Sequence, residues 1–401
     1  MLTQCVRYGS VVAVVVLGTL ALSAGPSPAR GEGARPPQQA SRASEGPTPA
    51  VSENGLVQLT GPEDAEGSAA LAVQQLGQLG SRATISRSGR FIIVSDAEAQ
   101  WTLGRGALLE RAAHQFRRFA DRLGYTLTPG SEPLVCVLIN DHDRYATFAA
   151  QHDGVEAGWV AGYYASLSNR IVFYNDETSP ALDKARQQLA DFESLADEAR
   201  DLAKGARSDK RIEVAATLES RASEIDAKAR LERDRLSRTT KVNAQAKAVH
   251  EAVHLLSYNW GLQQRDRQYP FWLTEGLAAS FETESANQAF GPDHSFSARQ
   301  KDFDRLRSQG RLLPLEVLVQ MIGVPGEDEE TAEVMYAQSW SLFRYLYRYE
   351  RADLAEYFRD FLRQPAGRLG PERQFELFEA RFGDVTALER RWLKRTAPEN
   401  R

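Results

Sequence analysis

Residues 244–256 read Ala244-Gln-Ala-Lys-Ala-Val-His250-Glu251-Ala-Val-His254-Leu-Leu256, and residues 269–278 read Tyr269-Pro-Phe-Trp-Leu-Thr-Glu275-Gly-Leu-Ala278. In the first stretch apolar residues occupy nearly every side of a helical wheel, which marks a buried helix. Two imidazoles and a carboxylate are costly there unless they are partnered. Their spacing suggests the partner. On a helix His250 and His254 stand one turn apart on nearly one face, so both rings can reach a single metal about 2.0–2.1 Å from their nitrogens. Glu251 is rotated by about 100° from His250 and flanks the metal, where a carboxylate can take a proton from water. Catalytic zinc takes three protein ligands and keeps one position open. Twenty residues separate His254 from Glu275, which follows Pro270, a residue suited to opening a helix, and has Trp272, Leu273, Leu277 and Ala278 for company. A carboxylate in that setting is expected to be the third ligand; the plainer alternative is an acid favoured by the helix dipole. The expectation is one Zn2+ per chain on His250, His254 and Glu275, with Glu251 as general base.

The pair His-Glu-x-x-His and, about twenty residues later, Trp-Leu-x-Glu-Gly-Leu-Ala resembles the gluzincins, the thermolysin-like and aminopeptidase-like zinc peptidases. More narrowly it resembles the peptidase-MA-like bacterial exported proteins of uncharacterised substrate, which Tyr258-Asn-Trp-Gly-Leu262 and Tyr336-Ala-Gln-Ser-Trp340 also fit. The resemblance spans roughly Phe91–Trp392 and is most specific from His250 to Ala278. It implies a peptide or protein substrate and an active-site helix beneath a small, mostly antiparallel sheet. It also implies that an edge strand of that sheet binds extended substrate; Tyr163–Ala165 or Arg170–Tyr174 is the candidate. Hydrolysis needs a donor for the oxyanion, and related enzymes place a Tyr on a helix after the glutamate ligand. Tyr336, in a helix near Glu333–Tyr347, is the candidate, with a core tyrosine as the alternative; His294 is a weaker one. His114, His142 and His152 have no partner pattern. The Gly-x-Met-Glu-Asn segment with which aminopeptidases of this class hold a free N-terminus is missing, which argues against N-terminal exopeptidase activity.

Around this site the chain reads as α+β and mostly helical: a small N-terminal mixed or antiparallel sheet packed on a helical catalytic part. Of its 401 residues 42% are hydrophobic and 26% charged, with net charge −5, enough for one large or two modest domains. Lys and Arg alternate with Asp and Glu, without the basic stripe of a nucleic-acid binder. Residues 1–24 read as an export signal: Arg7, then an apolar run from Val11 to Leu22 shorter than the roughly 20 residues of a membrane span, then small residues. The protein is therefore expected to be periplasmic or extracellular, and membrane-anchored only if that segment is kept. Residues 25–67, rich in Pro, Gly, Ser, Ala and Glu, read as a flexible linker. Residues 71–179 form the mixed part, with strands at Phe91–Val94 and Leu134–Asn140 and a helix near Gly106–Leu123. Cys136 reads as a core residue, not a nucleophile.

Residues 180–238 read as an inserted helical hairpin with an apolar seam of Leu189, Phe192, Leu195 and Leu202 against Ile212, Leu218, Ile225 and Leu231. It is either a solvated insertion or an arm for a protein partner. Residues 239–396 complete the helical metal-binding part. Two other functional classes fit the same residues: a scaffold with a vestigial zinc site and the hairpin as interaction arm, and a zinc hydrolase of a non-peptide substrate.

Overall fold

The computed structural model describes residues 11–13, 57–60, 67–156, 161–325 and 328–397. The protein is α+β and mostly helical. Seven strands form one mixed sheet: β1 (Val11–Ala13), β2 (Val57–Thr60), β3 (Thr84–Ser88), β4 (Phe91–Ser95), β5 (Leu134–Ile139), β6 (Gly162–Ala165) and β7 (Arg170–Tyr174), in the order β1-β6-β7-β5-β4-β3-β2. The central trio β4, β5 and β7 is parallel, and the flanking pairs are antiparallel. β4, β5 and β7 are buried at every position, because helices cover both sheet faces.

Side chains alternate between two cores. Phe91, Ile93, Leu134, Cys136, Leu138, Ile171 and Phe173 join the main core, whereas Ile92, Val94, Val135, Val137 and Val172 join a smaller one on the opposite face. Helices α1 (Gly67–Gln78) and α3 (His142–Phe148) pack on the second face. Asp141 caps α3, its Oδ1 accepting the Arg144 amide at 2.9 Å. On the main face lies α2 (Ala99–Leu123), seven residues longer at its start than the sequence pattern suggests. Cys136 is fully buried in that core, and burial pushes its thiol well above the ordinary range.

The hairpin consists of α4 (Asp183–Ser208) and α5 (Ile212–Asn259). Ion pairs Arg200–Asp226, Arg207–Glu219 and Arg233–Glu193 join the two helices in antiparallel register. Its seam differs from the expected one. Ala196, Ala199, Ala203 and Ala206 meet Ala215, Ala222 and Ala229, while Leu195, Leu202, Ile212 and Leu231 are 51–67% exposed. The alanine recurrence every seven residues on α5 lets the helices approach closely, and the larger residues flank the contact. Nor does α5 break at residues 238–243. One helix of 48 residues carries both the outer arm and His250-Glu251-Ala-Val-His254.

Apart from a short parallel pairing of Arg267–Gln268 with Gly367–Arg368, the rest of the chain is helical or loop: α6 (Phe271–Ala279), α7 (Ser297–Ser308), α8 (Leu315–Leu318), α9 (Glu329–Tyr349), α10 (Arg351–Arg363), α11 (Pro371–Phe382) and α12 (Val385–Arg395). Among the described residues no helix is long and apolar enough to cross a membrane. Of the expected export signal only Val11–Ala13 is described, and of the expected linker only Val57–Thr60 and Gly67; the remainder lies outside the described residues. β7 is an interior strand, so Arg170–Tyr174 offers no edge; β6 has Val11–Ala13 on its outer side.

Candidate metal centre

Three elements assemble the site. The buried end of α5 brings His250, Glu251 and His254, which are 0–1% exposed. Pro270 ends the extended segment before α6, and α6 carries Glu275, 3% exposed, against them. α9 closes the far side with Tyr336. The contact of α6 with α9 depends on Gly276. A Cβ there would lie 2.4 Å from the Ser339 carbonyl oxygen and 2.9 Å from Phe343 Cβ, so only glycine lets Glu275 come this close.

The ligand atoms of His250, His254 and Glu275 all lie within 4.8 Å of one another. His250 Nε2 stands 3.1 Å from Glu275 Oε2, and His254 Nε2 stands 3.6 Å from Glu275 Oε1. Ligand atoms of a tetrahedral ion bound at about 2.1 Å are separated by roughly 3.4 Å, between those two distances. Buried polar atoms without a hydrogen bond point to the same place: His254 Nε2 and both carboxylate oxygens of Glu251. The donor set and its orphaned atoms fit a metal ion.

The charges are arranged to suit one. Burial pushes the Glu251 carboxyl well above the ordinary range, opposed by the charge of His250 and reinforced by that of Glu275; the Tyr164 amide of β6 draws it down in part. For Glu275, burial is outweighed by His254 and His250, and its carboxyl falls to about 2. Burial lowers His254. For His250 burial also opposes protonation, yet its hydrogen bonds to Glu275 and Glu282 raise it to about 9. Burial, then the charges of Glu275 and Glu251, hold the Tyr336 hydroxyl well above its usual value, so it keeps its proton and remains a donor. Its ring centroid lies 6.3 Å from that of His250.

Two residues behind His250, one buried and one half-buried, have no signature in the sequence. Glu282, beyond the end of α6, accepts a hydrogen bond from His250 Nδ1–H at 2.9 Å. Arg299 on α7 grips Glu282 bidentately with one edge of its guanidinium, Nε donating to Oε2 at 2.7 Å and an Nη to Oε1 at 2.8 Å. Burial works against the Glu282 charge, but Arg299 outweighs it and keeps the carboxyl below its ordinary range. A ligand imidazole whose other nitrogen donates to a carboxylate has its tautomer and orientation fixed. The only hint was an acid soon after the apolar run Leu277-Ala-Ala-Ser-Phe281.

The other histidines stay away. His294 shares a small crevice with Arg118, Arg122 and Asp293 on the side of α2. His142 meets the Tyr174 ring edge-on at 4.8 Å, His152 packs 5.1 Å from the Phe148 ring, and His114 is exposed.

Residues 244–366 match the model of a family described as "Protein of unknown function (DUF1570)". The match begins seven residues before Glu251 and takes in the three candidate ligands, Glu282, Arg299 and Tyr336. No curated protein and no solved structure matches the chain.

Proposed function

We propose that the protein is an exported zinc-dependent hydrolase that cleaves peptide bonds, with zinc on His250, His254 and Glu275. The observation that carries this reading is Glu251: a fully buried carboxylate, both oxygens without a hydrogen bond, one residue from a ligand histidine. A side chain kept only for packing would not be a carboxyl group buried without a hydrogen bond. The same fact weighs against a vestigial site with the hairpin as the working part.

A zinc ion held there supplies Lewis acidity, polarising a carbonyl oxygen and acidifying water. The chain's own residues do the rest. Glu251 accepts the proton of the attacking water and returns it to the leaving nitrogen. Tyr336, whose hydroxyl stays protonated, donates to the oxygen that gains charge. Glu282 and Arg299 hold the His250 ring. An extended substrate adds a strand beside β6, whose Tyr164 amide acts on Glu251. That side of β6 carries Val11–Ala13 and becomes free once a signal of residues 1–24 is removed.

The test pairs metal analysis with hydrolysis. About one zinc per folded chain is expected, lost in His254→Ala. Glu251→Gln should keep the zinc and lower cleavage of a peptide library by at least about a thousandfold. A zinc-free wild type, or a fully active Glu251→Gln, overturns the reading; products from an ester or a cell-wall amide in place of peptides would reassign the substrate.

A further inference from the structure

A second site lies where the arm leaves the body. α2, the base of α4 and α5, the turn after β7 and Ala286–Asn287 enclose a groove of about 800 Å3, within the roughly 300–1,000 Å3 of small-molecule sites. It is separate from the metal centre: neither Glu251 nor any of the three ligands lines it. Gln245, its lining residue nearest to Glu251 along α5, is six residues away, about 9 Å of helix.

The walls carry five cations and the carboxylates of Asp176 and Glu177; Arg105, Arg186 and Arg233 are paired with Asp176, Asp183 and Glu193, which leaves Arg111 and Lys241 without an acidic partner among the described residues. Asp176 is itself shared, bonded to Arg105 at 3.0 Å and to the buried ammonium of Lys247. Arg111 donates only to neutral acceptors, the Ala286 carbonyl at 2.9 Å and Asn287 Oδ1 at 2.5 Å. Lys241 has no carboxylate within ion-pairing distance among the described residues. Arg111 and Lys241 are the cations left for an anion, and low-dielectric walls beside them strengthen the attraction. Beside these cations stand Trp101, with the Arg105 guanidinium 5.1 Å from its ring centroid, and the side chains of Leu108 and Leu236.

A glycine supplies an independent observation. Gly104 and Gly106 both sit inside α2, where alanine would be more stable by about 1 kcal/mol. Packing explains Gly106: a Cβ there would stand 3.0 Å from Ile93 Cδ1 and 3.2 Å from Ser88 Cβ. A Cβ on Gly104 would meet nothing within 4 Å. The space that Gly104 leaves open is the groove.

We propose that this groove binds an anionic small molecule with an aromatic or apolar body, its carboxylate on Arg111 and Lys241 and its body against Trp101 and Gly104. The test is calorimetry on the full chain with 1-naphthylacetate and its uncharged amide. Saturable binding of the anion is expected, weakening as salt rises, with the amide at least about tenfold weaker. Arg111→Gln combined with Lys241→Gln should weaken the anion by about tenfold or more. Gly104→Leu, which intrudes on the groove where the body of the ligand would rest, should abolish binding at an unchanged melting temperature, and Gly104→Ala should retain it. Glu251→Gln should bind as the wild type does, so the result stands apart from the hydrolase reading. No saturable binding of the anion, equal binding of the amide, or wild-type binding by Gly104→Leu overturns the proposal. Should Gly104→Leu fail to fold, the amide and the double variant decide.

Discussion

A metal-ligating imidazole needs its second nitrogen held as firmly as its first, and on His250, a candidate ligand, Glu282 is placed for that task, fixed in turn by Arg299. Glu282→Gln keeps the shape but removes the charge, leaving the half-buried Arg299 opposite a neutral amide. Zinc affinity should fall by about 10–100-fold, since carboxylates behind ligand histidines typically contribute that much. Competition against a chromophoric chelator measures it, and an affinity within twofold of the wild type would remove Glu282 from the site. His250, Glu251, His254 and Glu275 were legible in the sequence because helical geometry fixes where residues four apart point, and because charge among apolar neighbours is conspicuous. Glu282 and Arg299 were not legible. Neither shares a helix with the ligands, and an irregular turn between α6 and α7 sets their approach, so no periodicity announces them.

Elements decide whether those residues meet. α6 rests on α9 through Gly276, with backbone oxygen already where a Cβ would go. Gly276→Ala must separate the two helices, and overpacking of this kind costs about 1–3 kcal/mol. A lower melting temperature together with weaker zinc binding is expected, because Glu275 is the next residue along α6; undisturbed zinc binding would mean that the helices part elsewhere. The hairpin offers the converse case. Its seam is alanine, so Ala222→Leu should destabilise by a similar amount. Leu202→Gln, at a position 56% exposed, should stay within about 0.5 kcal/mol of the wild type in chemical denaturation. Equal losses would show that the leucines, not the alanines, hold the arm together. By apolar bulk alone the leucines are the more conspicuous seam in the sequence. Close helix approach rewards small residues instead, and alanine is too common in helices to stand out as a seam.

At the scale of the whole molecule the decisive fact is that α5 does not stop between arm and metal site. The fold class was legible from the segments taken singly, but this continuity was not, since a helix of mixed composition shows no change of period where it passes from solvent into a core. Strand order was hidden too: the parallel pairing of β7 with β5 depends on contacts far apart in sequence. Continuity leaves two possibilities, an arm that helps to hold the ligands or one that is merely rooted there. Ion pairing favours the second. The three pairs that join α4 to α5 stay within the arm, and exposed pairs of that kind contribute little beyond about 1 kcal/mol each. The ligand-bearing end of α5 is buried instead against the sheet, α2 and α6. Phe192 and Lys228 meet across the seam, the Lys228 ammonium 4.9 Å from the Phe192 ring centroid, which puts residues 194 and 227 at nearly one level. Replacing residues 195–226 by a short glycine turn should therefore leave one zinc per chain and leave the rate of peptide cleavage within a few-fold of the full-length protein. Loss of zinc from a shortened protein that still folds would show that the arm braces the ligands. Retained zinc with lost cleavage would instead make the arm part of how substrate reaches Glu251.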